Sequence, residues 1–388
     1  MKKISIIFPA DFASERDIAQ YKPTVDLISG QGRMCKYYGI SKSSPDKGKV
    51  YANSYYPYFV SRIYSILLKI LKLPAHKAFL MRLELFDRFA AVRASADDSS
   101  VVLVDMMLPR TASACKNMGK TVVVYTGSSF PGRECARIHE EYEKYGIKSN
   151  TLFGDKRYKE KCCASLNICD YYIAITEVSA KTYFNAGYSK DKCVVIPKNG
   201  TDFEIYRDAA TTQTGERAFV STAFHSFSKG THRLLDAWNN LKSDSAKLYI
   251  IGDLHDDMRE FIKKYGPFKN VVFTGPLSRD QMREMYKKLD AVGILMSLSE
   301  GAGKVTPEMM SFGFPQIVSP DATCDLIIDG FNGFIVETED TAGLVNKLKW
   351  FAEDWNRVHE MRNNVYQSVT RRKMIDFSIE LGEYLMSL

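Results

Sequence analysis

Ser299-Glu300-Gly301-Ala302-Gly303-Lys304-Val305-Thr306-Pro307-Glu308-Met309-Met310-Ser311-Phe312-Gly313-Phe314-Pro315 is the stretch on which the reading of this chain turns. It follows an apolar run, residues 291–296, that reads as a buried strand. It is no Walker loop: Leu298 stands where that loop needs its first glycine, and Val305 follows the lysine. Gly-x-Gly-x-x-Gly also fails, because Thr306 holds the third position. The physical content survives both failures. Gly301, Ala302 and Gly303 expose backbone N–H groups, and a helix is expected to open at Thr306 as N-cap with Pro307 first. Amides converging on a helix N-terminus make a site for a diphosphate. Glu300 and Glu308 flank it. Aimed at phosphate they would repel it, so they fit better as acceptors for hydroxyls of a ribose and a sugar. A capping Glu308 and a solvated Glu300 fit the same spacing.

Outward from there, strands alternate with helical patterns. Residues 218–223, 247–251, 271–274, 291–296, 316–318 and 334–336 are apolar or β-branched and end in turn residues. Ser278 with Gln281 forms a capping box. The first half has the same rhythm at 4–8, 101–104, 121–125, 171–175 and 193–196. Such runs predict parallel sheets covered on both faces. Pro197-Lys198-Asn199-Gly200-Thr201-Asp202 reads as a hinge. The expected fold is α/β: two Rossmann-like, doubly wound domains, residues 1–200 and 201–370, facing a central cleft. An amphipathic helix at about 371–388 is expected to pack back on the first domain. Ligands of such sheets bind beyond the carboxyl ends of the strands.

Composition agrees with a globular chain of 388 residues, 45% hydrophobic and 26% charged, and excludes disorder and disulfide scaffolds. Residues 1–205 carry 31 basic against 21 acidic side chains, or +10; the remainder, 22 against 25, is −3. A basic first half invites an anionic partner. The eight cysteines form no CxxC pair and read as reduced, buried thiols. The N-terminal apolar run is too short for a signal peptide, and no stretch is long and apolar enough to span a membrane.

Segment 55–93 differs. It opens Tyr55-Tyr56-Pro57-Tyr58-Phe59 and is punctuated by Arg62, Lys69, Lys72, Lys77, Arg82, Arg88 and Arg93 against only Glu84 and Asp87. Cationic, aromatic and interruptedly apolar is the profile of a helix lying on an anionic membrane surface. A helical pair packed on the sheet with snorkelling lysines fits the pattern too. A nucleic-acid-binding role is disfavoured, because the charges interrupt apolar helix instead of lying among stacking aromatics on strands.

The spacing of Glu300 and Glu308, with seven residues between, resembles the E-x7-E signature of the retaining glycosyltransferases of family 4 (glycosyl transferases group 1), which have the two-domain GT-B architecture. Ser228-Lys229-Gly230-Thr231 resembles the family's Lys-Gly loop, Gly252-Asp253 the end of its next strand, Gly275-Pro276-Leu277 its base-holding loop and Asp329-Gly330-Phe331-Asn332-Gly333 its D-G-x-N-G stretch. The resemblance covers about residues 170–355.

It implies a nucleotide-diphospho-sugar donor, UDP- or GDP-linked, with no cofactor and no metal. Lys229, Lys304 and Gly301–Gly303 would meet the diphosphate. Glu308 would hold the ribose and Glu300 the transferred sugar. Thr306, Gly252, Asp253, Gly275, Pro276, Leu277, His225 and Ser226 would complete the donor site. Segment 55–93, read beside this resemblance, points to a glycan acceptor that is lipid-linked or membrane-associated, and to the cytoplasmic membrane face during polysaccharide or glycolipid assembly as the place. Departures from the family lie mainly in the first domain. Its glycine-rich first loop is replaced here by Pro9-Ala10-Asp11, and its cleft histidine by Tyr125-Thr126-Gly127-Ser128-Ser129. That leaves Asp11, Thr126, Gly127 and Ser128 as acceptor-site candidates. No arginine precedes Lys229 in 223–228, so Lys304 is expected to supply the second positive charge. An epimerase or phosphorylase of the same fold is the alternative chemistry.

Overall fold

A computed structural model describes residues 2–11, 21–40, 58–148, 151–207, 215–241, 246–369 and 372–388. The first half builds a six-stranded parallel sheet from β1 (Ile4–Asp11), β2 (Met34–Ile40), β3 (Val101–Asp105), β4 (Thr121–Tyr125), β5 (Tyr171–Ala174) and β6 (Cys193–Val195), ordered β2-β1-β3-β4-β5-β6. The second half builds another from β7 (Glu216–Thr222), β8 (Leu248–Ile251), β9 (Val271–Gly275), β10 (Leu289–Leu295), β11 (Gln316–Val318) and β12 (Gly333–Ile335), ordered β12-β11-β10-β7-β8-β9. The α/β fold expected from the alternating runs is the observed one. Central strands covered by helices on both faces must be apolar on both faces, and every residue of β10 is buried. The strand order reverses between β1 and β3 in one sheet and between β7 and β10 in the other. Each reversal opens a crevice at the strands' carboxyl ends.

β2 is the strand that composition did not announce. Lys36 and Gly39 break its apolar pattern, yet Tyr37 and Tyr38 are each only 1% exposed. Segment 55–93 divides into two helices, Tyr58–Ile70 and Ala75–Ser95; residues 55–57 lie outside the described part. The second helix buries Leu80, Leu83, Phe86 and Ala90 against the first sheet. The first leaves Ile63, Ile66, Leu67, Ile70 and the following Leu71 exposed.

Two features tie the halves together. Residues 197–201 run beside Arg372 and Lys373: Thr201 N donates to the Arg372 carbonyl at 3.1 Å, and Arg372 donates to the Pro197 carbonyl at 3.0 Å. Beyond this double crossing, helix Met374–Ser387 returns to the first sheet. It buries Phe377, Leu381 and Leu385 among Ile4, Val25 and Ile28, side chains that contribute about 1.5–3 kcal/mol each when fully buried. The second tie is helix Pro131–Tyr145. It belongs to the first half in sequence, but its Ile138, Tyr142 and Tyr145 lie in the second sheet's core, against Phe227 and Phe261.

Candidate active site at the crevice between the sheets

The loops after β7 and β10 lie side by side because the switch point makes their strands neighbours. Leu298 N donates to the Ser228 carbonyl at 2.9 Å. Gly230 seals this junction. Its φ is +65°, and a Cβ there would stand 1.7 Å from the Met296 carbonyl oxygen. Only glycine accepts both demands. Lys229 ends the turn Phe227–Lys229 immediately before it, and its Nζ forms an ion pair with Glu300 Oε2. Both side chains are only partly buried, at 30% and 19% exposure. Ser297 Oγ donates to the same carboxylate oxygen at 3.4 Å. Gly230→Ala is expected to cost more than about 3 kcal/mol and to displace Lys229. Thermal unfolding checks this, and an unchanged Tm would refute the close approach.

Helix Val305–Met310 starts two residues earlier than the sequence pattern predicts, with Lys304 in the N-cap position. Thr306 is therefore no N-cap and no donor ligand by its hydroxyl. Buried, it donates to the Ala322 carbonyl at 3.1 Å. Pro307 stays within the first turn, where its missing N–H has no intrahelical acceptor to leave unpaired. Glu308 projects from this turn. Burial pushes its carboxyl up to about 7 against the pull of Arg279 and Lys304, with Asp202 adding to the rise. Arg279, whose guanidinium lies 4.8 Å above the Phe203 ring, is thus a neighbour of Glu308 that sequence reading missed. Its only signal was its place after the Ser278 cap.

The other donor-side candidates divide. His225 is fully buried: Nε2 donates to the Ile251 carbonyl at 3.0 Å, and Nδ1 meets Thr231 Oγ1 at 2.9 Å. Burial lowers its pKa to about 4, so it is a neutral packing residue with no nitrogen left for phosphate. Ser226 Oγ lies 2.8 Å from Ser228 Oγ beneath Lys229. Gly252 N donates to the Gly275 carbonyl at 3.0 Å, joining the loops after β8 and β9 on the same sheet edge. Asp253 is half-exposed and accepts from Arg259 at 2.8 Å. Pro276 is exposed, and Leu277 packs against the second core. Asn332, in the D-G-x-N-G stretch, is structural: it bridges Ile328 N and the Leu326 carbonyl.

From the first half, the loop after β4 presses directly on this site. A Cβ on Gly301 would stand 2.4 Å from the Gly127 carbonyl oxygen. Ser129 Oγ donates to the Glu300 carbonyl at 2.8 Å, and Thr176 Oγ1 to the Gly301 carbonyl at 2.9 Å. Of the acceptor candidates, Thr126 is buried with its hydroxyl committed to the Ile173 carbonyl at 2.8 Å, which removes it as a ligand. Ser128 Oγ, part-buried, donates to the Ser129 carbonyl. The Asp11 side chain lies outside the described residues.

Three buried carboxyl groups, two of them at this junction and one in the first sheet, had no sequence signal. Asp321, its side chain 1% exposed, accepts from Arg133 at 2.6 and 2.9 Å and from Arg137 at 2.8 Å. Asp105, at the first sheet's switch point, has its carboxyl pushed up to about 6 by burial. Glu134, 4% exposed, is pushed up to about 7 by burial, although Ser299, Tyr158 and Lys229 favour its charge.

Comparison with known proteins agrees with this geometry. Residues 202–368 match the sequence model of the family described as glycosyl transferases group 1. The uncharacterized glycosyltransferase MJ1607 of Methanocaldococcus jannaschii is 26% identical over 199 residues, which are 48% of this chain and 51% of that protein. The match thus spans about half the length of that relative. Among solved structures, Anabaena HepE, determined with UDP and glucose, superposes with a TM-score of 0.62 at 15% identity over 100% of both chains. Sucrose-phosphate synthase of Thermosynechococcus elongatus superposes with a TM-score of 0.67 at 14% identity, covering 100% of this chain and 99% of that one. At such identities the likeness shows the fold, which is GT-B.

Proposed function

We propose that this chain is a retaining, metal-independent glycosyltransferase. It moves a sugar from a UDP- or GDP-linked donor, held by residues 201–370, to a glycan acceptor held by residues 1–200. The observation that carries the reading is the Lys229–Glu300 ion pair at the switch point of the second sheet, under the Gly127–Ser129 loop, with Glu308 beside Lys304 in the first turn of the helix that follows. As the bond from the anomeric carbon to the diphosphate oxygen breaks, negative charge grows on the leaving phosphate. Lys229, Lys304 and the amides of Gly301–Gly303 stabilise that charge more in the transition state than in the ground state. The acceptor oxygen bonds the anomeric carbon from the same face, and its proton passes to the leaving phosphate. Glu308, once ionised, accepts from ribose hydroxyls; Glu300, released by Lys229, accepts from the sugar.

A thermal-shift panel of UDP-, GDP-, ADP- and CDP-sugars tests the donor, since a ligand that binds only the folded state raises Tm. Transfer of radiolabelled sugar to an alcohol acceptor separates this chemistry from an epimerase or phosphorylase. Stabilisation by no nucleotide sugar contradicts the reading.

The acceptor is lipid-linked or membrane-associated, and the enzyme works at the cytoplasmic membrane face. What supports this is the stripe Ile63, Ile66, Leu67, Ile70 and Leu71, between 44% and 69% exposed and bordered by Arg62, Lys69 and Lys72. Its i, i+3, i+4, i+7 spacing puts apolar groups on one helix face with cations beside them, which suits insertion among anionic headgroups. The protein is expected to sediment with phosphatidylglycerol vesicles at low salt, and Ile66→Glu/Ile70→Glu to stay in the supernatant. Equal sedimentation of both would refute the docking face.

A further inference from the structure

The catalytic scheme above leaves Glu134 without a role, although it is 4% exposed, stands on the helix whose Arg133 and Arg137 grip Asp321 and the Leu298 carbonyl ahead of Glu300, and comes from the other half of the molecule. It stands in the first turn of helix Pro131–Tyr145, and Tyr158 donates to its Oε2 at 3.2 Å. Its electrostatic neighbours are Tyr158, Tyr183, Cys135 and Cys162 on its own side, with Lys229 and Glu300 across the junction. The helix cannot drift from this place easily. Arg133 and Arg137 clamp Asp321, and Ser129 holds the Glu300 backbone.

We propose that Glu134 is a positioning residue which, by holding or releasing a proton, sets how much of the Lys229 charge is available to an incoming diphosphate. The proposal rests on the donor reading above. With Glu134 neutral, Lys229 faces one carboxylate, Glu300, and can turn to a phosphate. With Glu134 ionised, the ammonium is shared between two carboxylates, and the diphosphate meets a net negative cluster. Burial places this ionisation near neutral pH. The donor is anionic, so its arrival favours the protonated carboxyl. By linkage, donor affinity then falls as pH rises through that range.

Glu308 ionises over the same range and acts oppositely, because ribose hydroxyls need its carboxylate. The informative quantity is therefore the ratio of the dissociation constants of the native protein and Glu134→Gln. Titration calorimetry with UDP-glucose and GDP-mannose, neither of which titrates between pH 6 and 8.5, measures it. The ratio is expected to rise about tenfold across that interval, which corresponds to one pKa unit of coupling. Tyr158→Phe, which removes a hydrogen bond that favours the charged carboxyl, should move the rise to higher pH. It also carries the test if Glu134→Gln does not fold. A constant ratio, or an unmoved profile in Tyr158→Phe, overturns the role of Glu134 while leaving the donor reading intact. Failure of both nucleotide sugars to bind at any pH overturns the donor reading and this proposal with it.

Discussion

Lys229→Ala is expected to lower kcat for sugar transfer by about 10²–10³, the range for removal of one preorganised group that stabilises transition-state charge. Two features of its setting make the loss catalytic and not structural. The side chain is 30% exposed and contributes no packing to the core, so its removal leaves the fold in place. Its partner Glu300 keeps Ser297 as a donor and reaches solvent, so the orphaned carboxylate costs little. Glu308→Ala should act differently. On the proposed donor reading it removes a hydroxyl acceptor used equally in ground and transition states, so the donor KM should rise about tenfold or more with a smaller change in kcat. Initial-rate kinetics over a range of donor concentrations separate the two. Near-native turnover in Lys229→Ala would show that the ammonium does not face the leaving group.

Asp321→Ala should lower stability strongly through charge, without touching the core. One carboxylate, 1% exposed, serves two guanidinium groups from the opposite half, one of them bidentately. Its removal leaves two neighbouring cations with only Glu339, paired to Arg137 at 2.8 Å, as a close counter-charge. Losing one partner of a buried pair costs about 3–5 kcal/mol; Arg133 is 36% exposed and can hydrate, so about 3 kcal/mol is expected. For a unit of this size that corresponds to a fall of roughly 6–12 °C in Tm. Donor binding should weaken as well, because Asp321 and Ser129 together fix the loop that carries Glu300. Differential scanning calorimetry checks the first effect, and an unshifted Tm would mean that this cluster does not hold the halves together.

The sheets were legible because the two-sided burial of a parallel strand requires an apolar run, as at residues 101–104 of β3, 122–124 of β4 and 291–295 of β10. β2 escaped because it lies at the sheet edge, where Lys36 and Gly39 are tolerated. The Glu300–Glu308 spacing and Lys229-Gly230 were legible because the second half assembles its loops from residues close in sequence. The part contributed by the first half was not. Ile138, Tyr142 and Tyr145 announce an amphipathic helix, but nothing in their spacing says that the stripe is buried in the other half's core. Glu134, Arg133 and Arg137 then read as ordinary helix-surface charges. His225 misled for the converse reason: a histidine in a phosphate-binding loop looks like a ligand until both ring nitrogens are seen to be engaged.

A crystal structure of this protein with a UDP- or GDP-sugar bound is the most direct test of the central claim. The diphosphate is expected against Lys229 and the amides of Gly301–Gly303, the ribose on Glu308, and the Lys229–Glu300 pair opened by the ligand. A nucleotide seated elsewhere, with that ion pair still closed, would contradict the account.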